Sequence, residues 1–369
     1  MKENVKMIGK IIFVLLTLVA IIAILTLLFL NFYPSIGKLP DKDAAARYAS
    51  ITPLYYDNQF HNEKRITVMT GSQGSKSDRR TPATMIMAEE PTYEDHAEPG
   101  VMTFTWFGHS SSMIQLGDKN ILIDPVLGKY SSPVSFAGVK RFSECPVSAA
   151  TLPPIDVLFI SHDHYDHLDY ETIKGIDAKT EHYIVPLGLD VILESYGVAS
   201  NKITALNWWD ETVIDGVTYT LTPSQHFTGR NPLKGNRTLW GGLYMQDDAH
   251  TVYYTGDGGY YDVFKRVYDK LGAVDLIIAE DGQYDNAWAT IHMMPEETVQ
   301  ATIDVNAKWL IPVHWGTFVL SNHSWDDPVI RATNTAKEKG QNIATPRIGQ
   351  TVSYEDIASF SEHWWETID

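Results

Sequence analysis

Ser161-His162-Asp163-His164-Tyr165-Asp166-His167 directly follows a short apolar run, Val157-Leu158-Phe159-Ile160. Four side chains able to ligate a cation fall within six residues. Extended backbone sends alternate side chains to one face, so His162 and His164 can converge on one ion. Asp166 and His167, beyond a turn, can reach a second. Imidazole with carboxylate suits zinc, and also manganese or iron. A solvated histidine-rich loop without metal is the competing reading, but such a loop has no need of this density of ligands.

Working outward, further candidate ligands recur where apolar runs end. His226 closes Leu221-Thr222-Pro223-Ser224-Gln225-His226, Asp257 lies in Tyr253-Tyr254-Thr255-Gly256-Asp257-Gly258-Gly259, and His314 follows Leu310-Ile311-Pro312-Val313. Each alone reads as an ordinary polar residue or a helix cap. Their shared place at strand ends is the signal, because strands of one sheet layer deliver such residues to one edge. Short apolar or alternating runs predict strands over 101–107, 112–116, 120–123, 157–160, 182–185, 217–221, 239–245, 251–254, 275–279 and 309–313. Apolar residues three to four apart predict helices over 259–271 and 295–305, the second opened by Pro295-Glu296-Glu297. Strands with helices following the later ones point to a layered α/β body with its sheets in the middle.

The 369 residues carry 46 acidic against 29 basic side chains, a net charge of −17. That balance argues against a sequence-independent grip on nucleic acid, and no nucleic-acid partner is expected. The single cysteine, Cys145, excludes an internal disulfide and a cysteine-rich zinc site. Residues 11–30 are apolar except for Thr17 and Thr26, long enough as a helix to cross the roughly 30 Å hydrocarbon core. A signal peptide is the competing reading, with a usual apolar region of about 7–15 residues and a small-residue cleavage site. Asn31-Phe32-Tyr33-Pro34 makes a poor one. Lys2, Lys6 and Lys10 precede the span and favour an inside N-terminus. The expected organisation is a short cytoplasmic segment 1–10, a transmembrane helix 11–30, a linker and membrane-proximal segment 31–98, and a catalytic domain 99–369. Within the linker, 43–49 can form a short helix near the membrane. Thr70-Gly71-Ser72-Gln73-Gly74-Ser75-Lys76-Ser77-Asp78-Arg79-Arg80 has the composition of a linker or mobile flap.

The chain resembles the metallo-β-lactamase superfamily, and more narrowly the N-acyl-phosphatidylethanolamine-hydrolysing phospholipase D family and its bacterial relatives. The resemblance runs in order from Trp106-Phe107-Gly108-His109-Ser110 through Ile123-Asp124-Pro125, Lys140-Arg141-Phe142, the histidine cluster, Trp208-Trp209 and Leu239-Trp240-Gly241. It continues to Gly256-Asp257-Gly258-Gly259-Tyr260, His292 and His314-Trp315-Gly316-Thr317-Phe318. It implies an α/β fold, the four-layer αββα sandwich, here preceded by one transmembrane helix. It also implies two divalent metal ions, Zn(2+) foremost and Mn(2+) or Fe(2+) as alternatives. One would be bound by His162, His164 and His226, the other by Asp166, His167 and His314, with Asp257 bridging. The implied chemistry is attack of an activated hydroxide on a phosphodiester, with Asp166, Asp257 and His292 as catalytic residues and His292 binding phosphate or protonating the leaving group.

The chain departs from these phospholipases at Ala279-Glu280-Asp281-Gly282-Gln283-Tyr284-Asp285, where Glu280 and Asp281 add acids that would repel a phosphate unless they face away or bind a cation. His109 reads as a residue supporting the metal site or the packing. Trp208, Trp209, Trp240 and Trp315 are weighed between core and an acyl groove, with the core favoured. Tyr165 and Tyr284 are further candidates for substrate contact. A lipid or small ester substrate is expected, acted on at a cell membrane by a domain on the extracytoplasmic side. A lactonase and a non-catalytic metal-binding protein are the other readings.

Overall fold

A computed structural model describes residues 2–368 except 70, 73 and 97. Two seven-stranded sheets lie face to face. The first runs, in spatial order, Ile203–Leu206, Thr180–Pro186, Ile155–Phe159, Lys119–Ile123, Ser112–Leu116, Thr103–Trp106 and Thr351–Ser353. The second runs Glu211–Ile214, Val217–Thr222, Gly242–Gln246, Thr251–Tyr254, Val274–Glu280, Ala307–Val313 and Asn342–Ile343.

Strand alternation explains the layering. Ile121 and Ile123, Val157 and Phe159, and Leu276 and Ile278 point inward and join one core between the sheets. The intervening Leu122 and Leu158 point outward and pack under the helices Tyr170–Ile176 and Leu189–Tyr196. Ile277 does the same under Val263–Leu271, Pro295–Asp304 and Asp327–Lys339. The result is the helix–sheet–sheet–helix sandwich expected from the resemblance.

Parallel pairing then sets one functional edge. Lys119–Ile123, Ile155–Phe159 and Thr180–Pro186 are parallel neighbours, as are Thr251–Tyr254, Val274–Glu280 and Ala307–Val313. Their C-terminal ends therefore emerge together, and a site gathers there.

The strand expected over 239–245 is narrower, Gly242–Gln246. A Cβ at Gly241 or Gly242 would crowd the carbonyls of Thr222 and Tyr254, so the chain crosses its neighbours here before pairing begins. The helix expected from 259 starts at Val263, because Gly259 packs against the backbone of Thr290 and Ile291.

The N-terminal helix spans Lys2–Phe32, and within its Lys6–Phe32 part the most apolar 18-residue stretch has a mean hydropathy of 3.3 with no residue of that stretch buried. It is long and apolar enough to cross a membrane. Residues 31–98, expected as linker and membrane-proximal segment, are woven into the body. The short helix foreseen there runs Lys42–Ile51, capped by the Asp41 carboxylate, and its Tyr48 packs with Tyr55 and Phe60 into the inter-sheet core. Of the stretch read as a flap, Thr70 and Gln73 lie outside the described residues. The Ser77 amide donates to Asn322 O at 2.9 Å and Arg79 pairs with Asp326 at 2.7 Å.

Candidate metal centre

Each candidate ligand arrives on its own strand end. Ile155–Phe159 leads to His162, His164, Asp166 and His167, Val217–Thr222 to His226, Thr251–Tyr254 to Asp257, and Ala307–Val313 to His314. The structure brings all seven together.

Two trios form. His162 Nε2 lies 2.9 Å from His164 Nδ1, which lies 3.3 Å from His226 Nε2. His167 Nε2 and His314 Nε2 each stand 3.6 Å from Asp166 Oδ2. Asp257 Oδ2 sits between the trios, 3.2 Å from His167 and His314 and 3.8 Å from His162 and His226.

The far nitrogens are tied down, which fixes ring orientation. His162 Nδ1 donates to Ser161 Oγ at 2.9 Å, His167 Nδ1 to Asp124 at 2.7 Å, and His226 Nδ1 to Ile291 O at 3.0 Å. By contrast His167 Nε2, His314 Nε2 and Asp257 Oδ1 are buried without a hydrogen-bond partner. Buried polar atoms rarely go unpaired. Orphaned ligand atoms within groups whose candidate donors lie within 4.8 Å of one another, in a mixed imidazole and carboxylate set, fit divalent cations.

Electrostatics divide the trios. Burial, reinforced by neighbouring imidazoles, holds His162 well below the ordinary histidine range, and burial lowers His164 and His226 as well. Burial would also lower His314, but the Asp257 and Asp166 carboxylates outweigh it and raise the ring to about 10. His167 is likewise lifted well above its usual value against burial by Asp257, Asp166 and Asp124. Burial opposes charge on Asp166 and Asp257, yet the surrounding imidazoles hold both well below the carboxylate range.

His109 is brought against the cluster rather than into it. Burial holds it down to about 3, so the ring is neutral and its Nε2–H donates to Asp166 at 3.0 Å. His292 also reaches the site. Its Nδ1 donates to Glu280 at 2.7 Å, its ring lies parallel to that of His314 at 5.3 Å, and it lines the cavity. Of the two extra acids, Glu280 is engaged with His292 and the Met293 amide. Asp281 does not line the cavity, and burial pushes its carboxyl well above the usual range.

Above the cluster is a cavity of about 290 Å³, walled by Val68, Phe227, Trp288, Ile291 and Leu320. Trp208, Trp240 and Trp315 are core, as favoured, and Trp209 packs beside it under Arg266 and Lys270. None of the four lines this cavity. Nor do Tyr165, which donates to Arg230 O, and Tyr284, which donates to Asp327. Their hydroxyls are taken up by structural partners.

Sequence reading missed the support of the site. Asp124 accepts from the Ser161 amide at 2.7 Å, from His167 Nδ1 at 2.7 Å and from Tyr254 OH at 2.6 Å. Its signal was a carboxylate before proline at a strand end. Asn62 exchanges two hydrogen bonds with the His226 backbone, at 2.7 and 3.1 Å. No pattern around Asn62 announces that.

Residues 119–315 match the family described as beta-lactamase superfamily domain. A Mycobacterium tuberculosis protein, described as uncharacterized, is 37% identical over 72% of this chain and 72% of its own length. The N-acyl-phosphatidylethanolamine-hydrolyzing phospholipase D 1 of Caenorhabditis elegans is 34% identical over 68% of this chain and 73% of its own length. Among solved structures, an isothiocyanate hydrolase from Delia radicum gut bacteria superposes with a TM-score of 0.55 at 20% identity, over 68% of this chain and 98% of that one. With that profile match over more than half its length and a double-sheet sandwich carrying a histidine and aspartate cluster at its strand ends, the chain belongs to the metallo-β-lactamase superfamily.

Proposed function

We propose that the protein is a membrane-anchored, metal-dependent phosphodiesterase of phospholipase D type acting on N-acyl-phosphatidylethanolamine or a related lipid. The observation that carries this reading is the pair of trios on either side of Asp257 Oδ2 beneath an apolar-walled cavity. The C. elegans relative supports the lipid.

In this reading His162, His164 and His226 would hold one divalent cation and Asp166, His167 and His314 the other, with Asp257 available to either. Bound there, such a pair supplies hydroxide at neutral pH and withdraws charge from a phosphoryl oxygen. His109 keeps Asp166 turned toward the cluster, and Asp124 does the same for His167. His292 has its Nδ1 committed to Glu280, which leaves Nε2 for a phosphoryl or leaving-group oxygen. Val68, Phe227, Trp288, Ile291 and Leu320 shed water and suit hydrocarbon more than a sugar. The apolar Lys6–Phe32 segment, preceded by Lys2, supports anchoring with the body outside.

The test is metal analysis of the full chain in detergent, followed by turnover of N-acyl-phosphatidylethanolamine beside a lactone panel. Two metals per chain and release of an N-acylethanolamine are expected, with loss of activity in Asp257→Asn. Lactone turnover without phosphodiester cleavage overturns the substrate assignment.

A further inference from the structure

We propose that the body rests on the phospholipid surface through a patch ringing the exit of the apolar helix, with Phe136 and Leu233 entering the lipid. The inference rests on the anchoring part of the reading above. Two loops meet the end of the helix. Tyr130–Ser131 and Val139–Lys140 form a hairpin whose tip is tied to the exit segment, because Ser35 Oγ donates to Pro133 O at 2.5 Å. The loop after His226 is tied to the helix itself, Asn231 Nδ2 donating to Leu30 O at 3.2 Å.

Each loop carries a large apolar side chain in solvent, Phe136 at 74% exposure and Leu233 at 67%, beside Phe32 at 77%. All three stand on segments joined at the one helix exit, and exposed apolar residues that share a surface mark an interaction site. The charge of the two loops favours lipid as the occupant, although Asp169 and Glu171 line the groove beside Tyr33, Pro34 and Ser35. In a chain with 46 acidic residues, 129–141 and 229–240 contain none, and they hold exposed Lys140 and Lys234. Apolar tips flanked by lysines, continuous with a helix that holds an 18-residue stretch of mean hydropathy 3.3, match a bilayer interface with its phosphates.

The patch is also wired to the metal-binding loop. Arg230, one residue before Asn231, donates from Nε to Ser35 O at 2.6 Å and from Nη1 to Asp163 O at 3.0 Å and Leu168 O at 2.7 Å. Gly229 adjoins His164. Three consecutive residues thus connect the helix exit to the cluster, and seating this patch holds the cavity close to the bilayer at one height. A lipid substrate then needs to rise only part-way from the membrane.

The test uses the full chain in vesicles of phosphatidylethanolamine and phosphatidylglycerol, with Cys145→Ser as background. An environment-sensitive fluorophore is attached to Phe136→Cys, Leu233→Cys, Leu18→Cys within the helix, and Val213→Cys on the outer strand of the second sheet. Blue-shifted emission quenched by lipid-borne quenchers is expected at 136, 233 and 18, and absent at 213. Positions 136 and 233 behaving like 213 while 18 is quenched overturns the patch alone. An unquenched position 18 overturns the anchor and the patch together. Shifts that follow protein concentration instead of lipid quencher assign the surface to a second copy of the chain and also overturn the proposal. In unlabelled protein, Phe136→Ser with Leu233→Ser is expected to lower turnover of vesicle-embedded lipid about tenfold and to spare a short-chain, water-soluble phosphodiester. Equal loss on both substrates counts against the patch, whereas a parent inactive on both refutes the hydrolase reading and leaves the quenching result to judge the patch.

Discussion

At the scale of single residues, the site depends on groups one bond removed from the candidate ligands. Asp124 is fully buried at φ +41° and takes hydrogen bonds from Ser161, His167 and Tyr254. A non-glycine residue at positive φ costs energy, and His109 at +53° and His314 at +70° share the condition. Positive-φ residues also occur in turns far from the site, but these three are buried, and the packing around them holds their side chains at the cluster. Asp124→Asn keeps the shape but removes the charge that His167 leans on. Outer partners of metal-binding histidines are worth about 10–100-fold in affinity or activity. The variant is therefore expected to lose metal first from the trio containing His167, read as a fall toward one metal per chain, with activity down by a factor in that range. Unchanged stoichiometry and rate would show that Asp124 serves packing alone. Glu280→Gln tests the other partnership: a neutral amide holds His292 less firmly, and kcat is expected to fall about tenfold or more under the usual contribution of a positioned acid while metal content stays at its parent value.

Among elements, the segment 61–69 shows how a stretch without periodicity becomes structural. Asn62 brackets the His226 backbone, Glu63 pairs with Arg266 and Lys64 with Asp262, Thr67 and Thr290 exchange two hydrogen bonds, and Val68 ends in the cavity wall. This strap belongs to the site by tertiary hydrogen bonding, which leaves no trace in local composition. The same logic separates what was legible from what was not. The inner strands, such as Ile155–Phe159 and Ala307–Val313, are near-continuous apolar runs because both their faces are buried. The edge strands Ile203–Leu206 and Glu211–Ile214 are half exposed and short, and Thr351–Ser353 pairs with Thr103–Trp106 from far along the chain. The seven clustered side chains could be read because strand ends carry them to one edge. Asn62 could not, and although Asp124 and Glu280 stand in stretches the sequence singles out, their roles come from partners distant in sequence. Removing Asn62's two bonds in Asn62→Ala, at about 1 kcal/mol each, is expected to lower unfolding stability by about 1–2 kcal/mol. Chemical denaturation reads this directly, and an unchanged midpoint with unchanged slope would mean the strap is not coupled to folding.

For the whole molecule, protons and cations compete for one set of atoms, and the two trios compete differently. In the metal-free protein His314, raised to about 10, and His167, raised well above its usual value, are imidazolium at neutral pH, paired with Asp166 and Asp257. An unfolded histidine titrates near about 6.5, so the stabilisation these pairs give is full below that pH and is lost as pH rises through about 10. The two carboxylates are depressed, so their share is present above about 4 and is lost as pH falls through their lowered folded values. Stripped protein is therefore expected to melt at progressively lower temperature from about pH 6.5 to 10. Metal-loaded protein follows the opposite trend, because ligation needs neutral rings and a cation held by Asp166, His167 and His314 must displace the protons on His167 and His314. The difference in Tm between loaded and chelator-treated protein should thus widen across that interval. His162, His164 and His226 are held neutral by burial and release no protons on binding. On mild acidification their trio should retain its cation after the other has emptied, giving a plateau near one metal per chain in a pH titration of metal content. A single-step loss of both metals, or a Tm difference that narrows with rising pH, would break the link between the two unequal trios and the site proposed to use them.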